Sequence, residues 1–252
     1  MNGTKQTSKT YSPADLKHGR VHKWARILRR YAFRLGLQAT PFAVNGILRR
    51  RFWVRRNKLW EYARGVDGLL CSFFLAEHEK NAKPRVLDFG GAATLPILHL
   101  AATGCEVLCL DIDTTLTNWT NEIAKRHGWK LQASTHNLVE SPALEDWGLF
   151  DAVISFSVLE HIPKAAQPLI LARLAKLLKP GGIIALTFDF GPEAPVNDAV
   201  RDLAEVERLV AATGLDYLDG QPLNDTGERF ALDRRHPARR FTFASLFLKK
   251  RK

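Results

Sequence analysis

The chain is poor in sulfur, with three cysteines and one methionine. Cys71, Cys105 and Cys109 are odd in number and form no CxxC pair, so neither a disulfide framework nor a zinc site is indicated. No apolar run reaches the roughly 18 residues that a membrane span needs. The opening MNGTKQTSKTYSPADLKHGR lacks the apolar centre of a secretion signal. A cytoplasmic protein is expected, one that could sit peripherally at the inner face of a membrane. Acids are scarce at one end. Residues 1–66 hold 16 Lys and Arg against Asp15 and Glu61 alone, a balance of +14. The remaining residues hold 21 basic and 24 acidic side chains, or −3, and the sum is the net +11. A basic segment on a mildly acidic body suits a polyanionic partner: nucleic acid, an anionic membrane surface or a phosphorylated substrate.

What is present is enough for a core. The 252 residues are 46% hydrophobic, which fits one large α/β domain with an extension. Residues 1–13 read as a disordered tail, and 14–82 as a basic helical extension. Val21, Trp24, Leu28, Tyr31 and Leu35 recur at helical spacing, with Lys23, Arg26, Arg29, Arg30 and Arg34 between them. Pro41 breaks that helix; further helices are expected over about 42–55 and 57–79. From residue 83 to the end, strands and helices alternate. RVLDF, EVLCLDI, WKLQAST, FDAVISFSV, GGIIALTFDF, LDYLDG and RRFTFASLFLKK read as strands. This order predicts a Rossmann-like, doubly wound α/β sheet, mostly parallel and covered on both faces. Ligands should bind past the carboxyl ends of its central strands.

The first of those strands runs into a turn that holds only two glycines, Gly90 and Gly91, followed by Ala92, Ala93 and Thr94. Glycine there lets the backbone take positive φ and approach a ligand closely. A pyrophosphate needs three such glycines, so the turn argues against a nicotinamide dinucleotide. Thr94 is placed to cap the following helix, and Pro96 lies in its first turn. Asp111 closes the second strand, 21 positions after Gly90, where a carboxylate offers acceptor oxygens to two ribose hydroxyls. The competing reading makes Asp111 the cap of the next helix.

Five stretches in order, VLDFGGA, VLCLDID, FDAVISFSVLEHI, LLKPGGIIALTF and FTFASLFLKK, resemble the class I S-adenosylmethionine-dependent methyltransferases. The resemblance implies a seven-stranded sheet with an antiparallel last strand. It implies S-adenosyl-L-methionine as cofactor, whose amino-acid end carries no phosphate and tolerates Ala92 where the family has glycine. It places cofactor contacts at Asp88, Gly90, Gly91, Ala92, Asp111, Ile112, Asn137 and Ser157. Asp88 would organise the turn or meet the cofactor's ammonium, and Asn137 would reach the adenine amine. In SVLEHI, His161 is the candidate base for a hydroxyl acceptor. The competing reading is that Glu160 and His161 only shape the pocket. Asp189 and Glu193 read as a polar loop, and His236, Arg239 and Arg240 as either an anion site or a solvated turn.

The expected reaction is methyl transfer to an oxygen, less readily a nitrogen, of a small-molecule, saccharide or lipid-linked acceptor. SFSV stands where base-amine methylases carry Asn or Asp before Pro-Pro, so nucleic acid is the weaker partner. An RNA methyltransferase and a non-catalytic cofactor-binding module are the alternatives. The basic extension has three readings: a lid that packs Trp60, Glu61 and Tyr62 beside the glycine turn, an anchor through residues 14–56 on anionic lipid, or a nucleic-acid surface.

Overall fold

A computed structural model describes residues 8–38, 56–73, 83–141, 147–233 and 235–252. The helix expected over 42–55 lies outside the described residues. Eight strands form one sheet: β1 (Lys9–Thr10), β2 (Arg85–Phe89), β3 (Glu106–Asp111), β4 (Leu131–Thr135), β5 (Phe150–Phe156), β6 (Leu178–Phe190), β7 (Asp216–Tyr217) and β8 (Thr242–Lys249). Their order is β1-β8-β6-β5-β2-β3-β4, and β7 also pairs with β8. Strands β2 to β6 pair in parallel, and β8 runs antiparallel to β6. Among the described residues the helices are α1 (Gly19–Gln38), α2 (Arg56–Phe73), α3 (Leu95–Ala102), α4 (Thr114–His127), α5 (Gln167–Lys176) and α6 (Leu203–Thr213).

The alternation of the strands divides the core. Leu87, Phe89, Leu246 and Leu248 point to the face with α5 and α6, whereas Val86 and Phe247 point to the face with α3 and α4. A third cluster joins Leu16, Val21, Leu28 and Trp60 to Phe241 and Phe243. It ties the N-terminal segment to the last strand.

Four expectations need correction. The tail does not extend over 1–13, because Ser8 and Thr10 are buried and β1 pairs Lys9 with Ser245 and Thr10 with Ala244. The Ser8 hydroxyl accepts from Phe247 N (3.0 Å), and Tyr11 N donates to Phe243 O (2.8 Å), so the edge of β8 is covered. The sheet therefore has eight strands where seven were expected. Thr94 sits at the N-cap of α3, but its hydroxyl donates to Gly91 O (2.7 Å) and closes the glycine turn instead of capping a helical N–H. Finally, β6 begins at Leu178, and Asp189 lies inside it, paired with Phe243, not in a loop.

Candidate functional site at the carboxyl edge of the sheet

The turn after β2 is built from backbone requirements. Gly90 has φ +82°, and a Cβ there would collide with the Val158 side chain. At Gly91 a Cβ would overlap the Asp88 carboxylate, which accepts from Gly91 N (2.8 Å) and from Cys109 Sγ (3.1 Å). Asp88 is buried beneath the turn, and burial pushes its carboxyl up to about 7. Burial, reinforced by Asp88, likewise pushes the Cys109 thiol well above its usual range. Ala92 N donates to Asp111 Oδ2 (3.0 Å) and Ala93 N to Thr120 Oγ1 (2.9 Å). Ala93 and Ser157 are the non-glycine residues with positive φ among the described residues, at 62° and 57°. Both lie at this edge, which is where left-handed backbone tends to be stored for function.

Asp111 ends β3 with both oxygens engaged, Oδ2 by Ala92 N and Oδ1 by Asp113 N (3.0 Å). Each oxygen keeps a second lone pair for a ligand hydroxyl. Asp111 is not the cap of α4. That role falls to Asp113, whose Oδ1 accepts from Leu116 N (3.0 Å). Ile112 beside it is 72% exposed, an apolar face open at the mouth of the turn. Asn137 lies past β4, and its side-chain oxygen accepts from Val139 N (3.0 Å), so that atom shapes its own loop.

Helix α2 reaches the site because of two glycines. Gly65 and Gly68 face the sheet, and a Cβ on either would penetrate the ring of Phe156 or Phe247. The helix therefore lies against the ends of β5 and β8. Lys58, Glu61, Gly65 and Gly68 follow one another at spacings of three, four and three, one face of a helix. That face carries Lys58 and Glu61 beyond the sheet edge. Ser157 Oγ donates a short hydrogen bond to Glu61 Oε2, and Lys58 pairs with Glu61 Oε1 at 3.2 Å. Trp60 turns the other way: it is fully buried, donates to Asp15 Oδ2 (2.9 Å) and packs edge-on against Tyr11. Tyr62 is half-buried near Phe156, with ring centroids 6.5 Å apart. Of the three residues expected beside the turn, Glu61 and Tyr62 face this edge and Trp60 does not.

The short 3-10 turn Leu159–His161 completes the group. Glu160 is buried, its Oε2 has no hydrogen-bond partner, and burial pushes its carboxyl well above the usual range, with Asp189 adding to the rise. Burial, then Glu61, raises Asp189 to about 7. Burial alone would lower Lys58, but Glu61 and the neighbouring acids outweigh it and raise the ammonium. His161 is exposed at its outer edge, yet the protein around it and then the Lys58 charge lower its pKa and favour the neutral ring. Ser157, Glu61 and Lys58 are thus joined in one line, and Glu160 adds an unpaired buried oxygen just after Ser157. Sequence reasoning named Glu61 only as packing and did not name Lys58. The helical spacing of Lys58 and Glu61 with Gly65 and Gly68 was the available signal.

Glu193 is exposed, and its Oε2 accepts from Arg240 N (2.7 Å). His236, Arg239 and Arg240 are exposed, and His236 pairs with Asp233 at 3.0 Å. These residues form a solvated turn. Among the described residues no helix is long and apolar enough to cross a membrane.

Comparison with known proteins agrees with the fold and gives the family. The sequence profile of a family described as "Methyltransferase domain" matches residues 59–230. A "Ubiquinone biosynthesis O-methyltransferase" of Xanthomonas oryzae pv. oryzae is 34% identical over 109 residues, 42% of this chain and 43% of that protein. A protein of the same name from Psychrobacter arcticus is 26% identical over 186 residues, covering 71% and 66%. The chain thus matches less than half the length of the Xanthomonas relative. Among solved structures, TehB from Haemophilus influenzae superposes with a TM-score of 0.56 at 14% identity, covering 74% of this chain and 62% of that one. Magnesium protoporphyrin IX methyltransferase from Synechocystis superposes at 0.52 and 17% identity, covering 90% and 97%.

Proposed function

We propose a reaction for a chain that belongs to the methyltransferase-domain family and is a class I, S-adenosylmethionine-dependent methyltransferase: transfer of a methyl group to a hydroxyl oxygen of a small acceptor. The observation that carries the reading is the polar group of Lys58, Glu61, Ser157, Glu160, His161 and Asp189, set against the glycine turn. The O-methyltransferase names of the relatives support oxygen over nitrogen.

The residues fit the cofactor. The side-chain-free turn at Gly90 and Gly91 would receive its amino-acid end, the remaining lone pairs of Asp111 suit its ribose, and exposed Ile112 suits its adenine face. Ser157, pinned by Glu61, stands at the same edge. The cofactor supplies a methyl group on a positively charged sulfur, ready for displacement by an aligned nucleophile. The protein's own contribution is alignment and removal of a proton. An acceptor hydroxyl that enters over the 3-10 turn meets His161 in its neutral form, able to take the proton as the oxygen attacks. Burial, helped by the Lys58 charge, favours the neutral imidazole, and Lys58 also limits repulsion among the three nearby acids. Asp189 is the second candidate for the base, because its carboxyl is raised into the range where it can accept and return a proton near neutrality.

The test is transfer of labelled methyl from S-adenosylmethionine into small-molecule extract, before and after nuclease treatment, with identification of the methylated atom. Label in a nuclease-resistant ether supports the proposal. Label that vanishes with nuclease transfers the assignment to RNA.

A further inference from the structure

Helix α1 carries six cations and no acid over its 20 residues. One, Arg20, pairs with Asp67 at 3.2 Å. The other five, Lys23, Arg26, Arg29, Arg30 and Arg34, are exposed, and none forms an ion pair with an acid among the described residues. The opposite stripe, Val21, Ala25, Leu28, Ala32 and Leu35, is buried. Tyr31 fixes the rotation of the helix by donating to Leu98 O (3.1 Å), and its ring packs 5.3 Å from His99. The cations therefore cannot turn toward the site at the sheet edge. They stay on the outside, where Arg26, Arg30 and Arg34 succeed one another at four-residue spacing and repel. In their midst stands Phe33, 68% exposed.

A face of like charges with no internal counterion has an anion as its natural complement. The chemistry of this face narrows which one. It offers no Asn, Gln, Ser or Thr to read base edges. It offers a row of cations and one aromatic side chain, the combination that settles at the headgroup level of anionic lipid. Its own apolar stripe is already used inside the protein, so the contact would be peripheral, electrostatic and weakened by salt. We propose that the outer face of α1, with Arg26, Arg29, Arg30 and Arg34 around Phe33, docks on the headgroups of an anionic phospholipid bilayer. The inference stands apart from the identity of the methyl acceptor.

The experiment is co-flotation of the full chain with vesicles of phosphatidylcholine alone or mixed with phosphatidylglycerol, at low and high salt. Wild type binds the mixed vesicles, does not bind the neutral ones and is released by salt. The triple variant R26Q/R30Q/R34Q binds roughly a hundredfold more weakly, about fivefold per cation. F33S loses a smaller factor that salt does not change. All these positions are exposed, so melting temperatures stay near wild type, and a melt is recorded for each. The control K125Q/R126Q/K130Q removes three exposed cations from another edge of the molecule and binds as wild type does. Absence of binding to anionic vesicles, or an equal loss in the control, overturns the proposal. So does an RNA oligonucleotide that displaces the vesicles and shows the same dependence on the triple variant.

Discussion

Helices α1 and α2 belong to one basic segment, yet they place their charges in opposite surroundings. On α1 the arginines face solvent and the apolar stripe faces the protein. On α2 glycines draw the helix onto the sheet, and the charged pair Lys58 and Glu61 is carried into the site. The difference teaches that net charge does not identify what a segment brings to a functional edge. The segment has a balance of +14, but around Lys58 the site gathers three acids, Glu61, Glu160 and Asp189.

The sharpest break between the two regions lies in pH. The face of α1 carries no acid, whereas the site holds several. Asp88 and Asp189 titrate near 7 in the folded chain against a usual value of 3.8. An acid with a raised folded pKa keeps its proton in the native state where the unfolded chain loses it. Its contribution is therefore greatest below about 4 and declines as pH rises toward 7. Denaturation across that window should show stability falling with pH by several kcal/mol, about 1.4 kcal/mol per pH unit per group at most. Asp189→Asn should flatten the slope. A stability that rises through the window would contradict the buried placement of these carboxyls.

Chemistry gives the next effect. His161→Ala should lower kcat on the order of a hundredfold or more, with cofactor affinity nearly unchanged. In wild type the acid limb of the rate profile should lie lower than an ordinary imidazole would place it, because burial and the Lys58 charge lower the pKa of the ring. A loss smaller than about tenfold would remove His161 as the base and move attention to Asp189.

Packing comes third. Gly65→Val forces a branched side chain into the Phe156 ring, and thermal or urea unfolding should report a loss of about 1–3 kcal/mol. Unchanged stability would mean that α2 does not lie on the sheet as described. The smallest effect compares the helices directly. Glu61→Gln should reduce kcat/KM about tenfold, or about 1.4 kcal/mol. Arg30→Gln should leave turnover of a soluble acceptor within about twofold, as expected of a solvated surface charge. Equal losses in the two variants would erase the distinction drawn between them.

Much of the domain was legible because its signals are local. The alternation of strand and helix, the turn at Gly90, and SVLEHI past β5 all report on neighbours in sequence. The strand β1 was not legible: two residues near the start pair with Ala244 and Ser245, and no periodicity of two residues can announce that. Asp189 was read twice, inside the strand GGIIALTFDF and in the polar loop FDFGPEAP, and the pairing with Phe243 that decides for β6 comes from the far end of the chain. Asp111 was read as ribose contact or helix cap, and the structure gives the cap to its neighbour Asp113. Glu61 was visible only as a rare acid in a basic segment. Its partner, Ser157, lies 96 positions away.

The central claim is that a turn with two glycines serves an S-adenosylmethionine-dependent methyltransferase. Calorimetric titration of wild type and Asp111→Ala with S-adenosylmethionine and S-adenosylhomocysteine tests it most directly. The account predicts saturable binding of both by wild type, weakened more than about tenfold when the Asp111 carboxylate is removed. A wild-type protein that is folded by its unfolding transition and binds neither compound would contradict it.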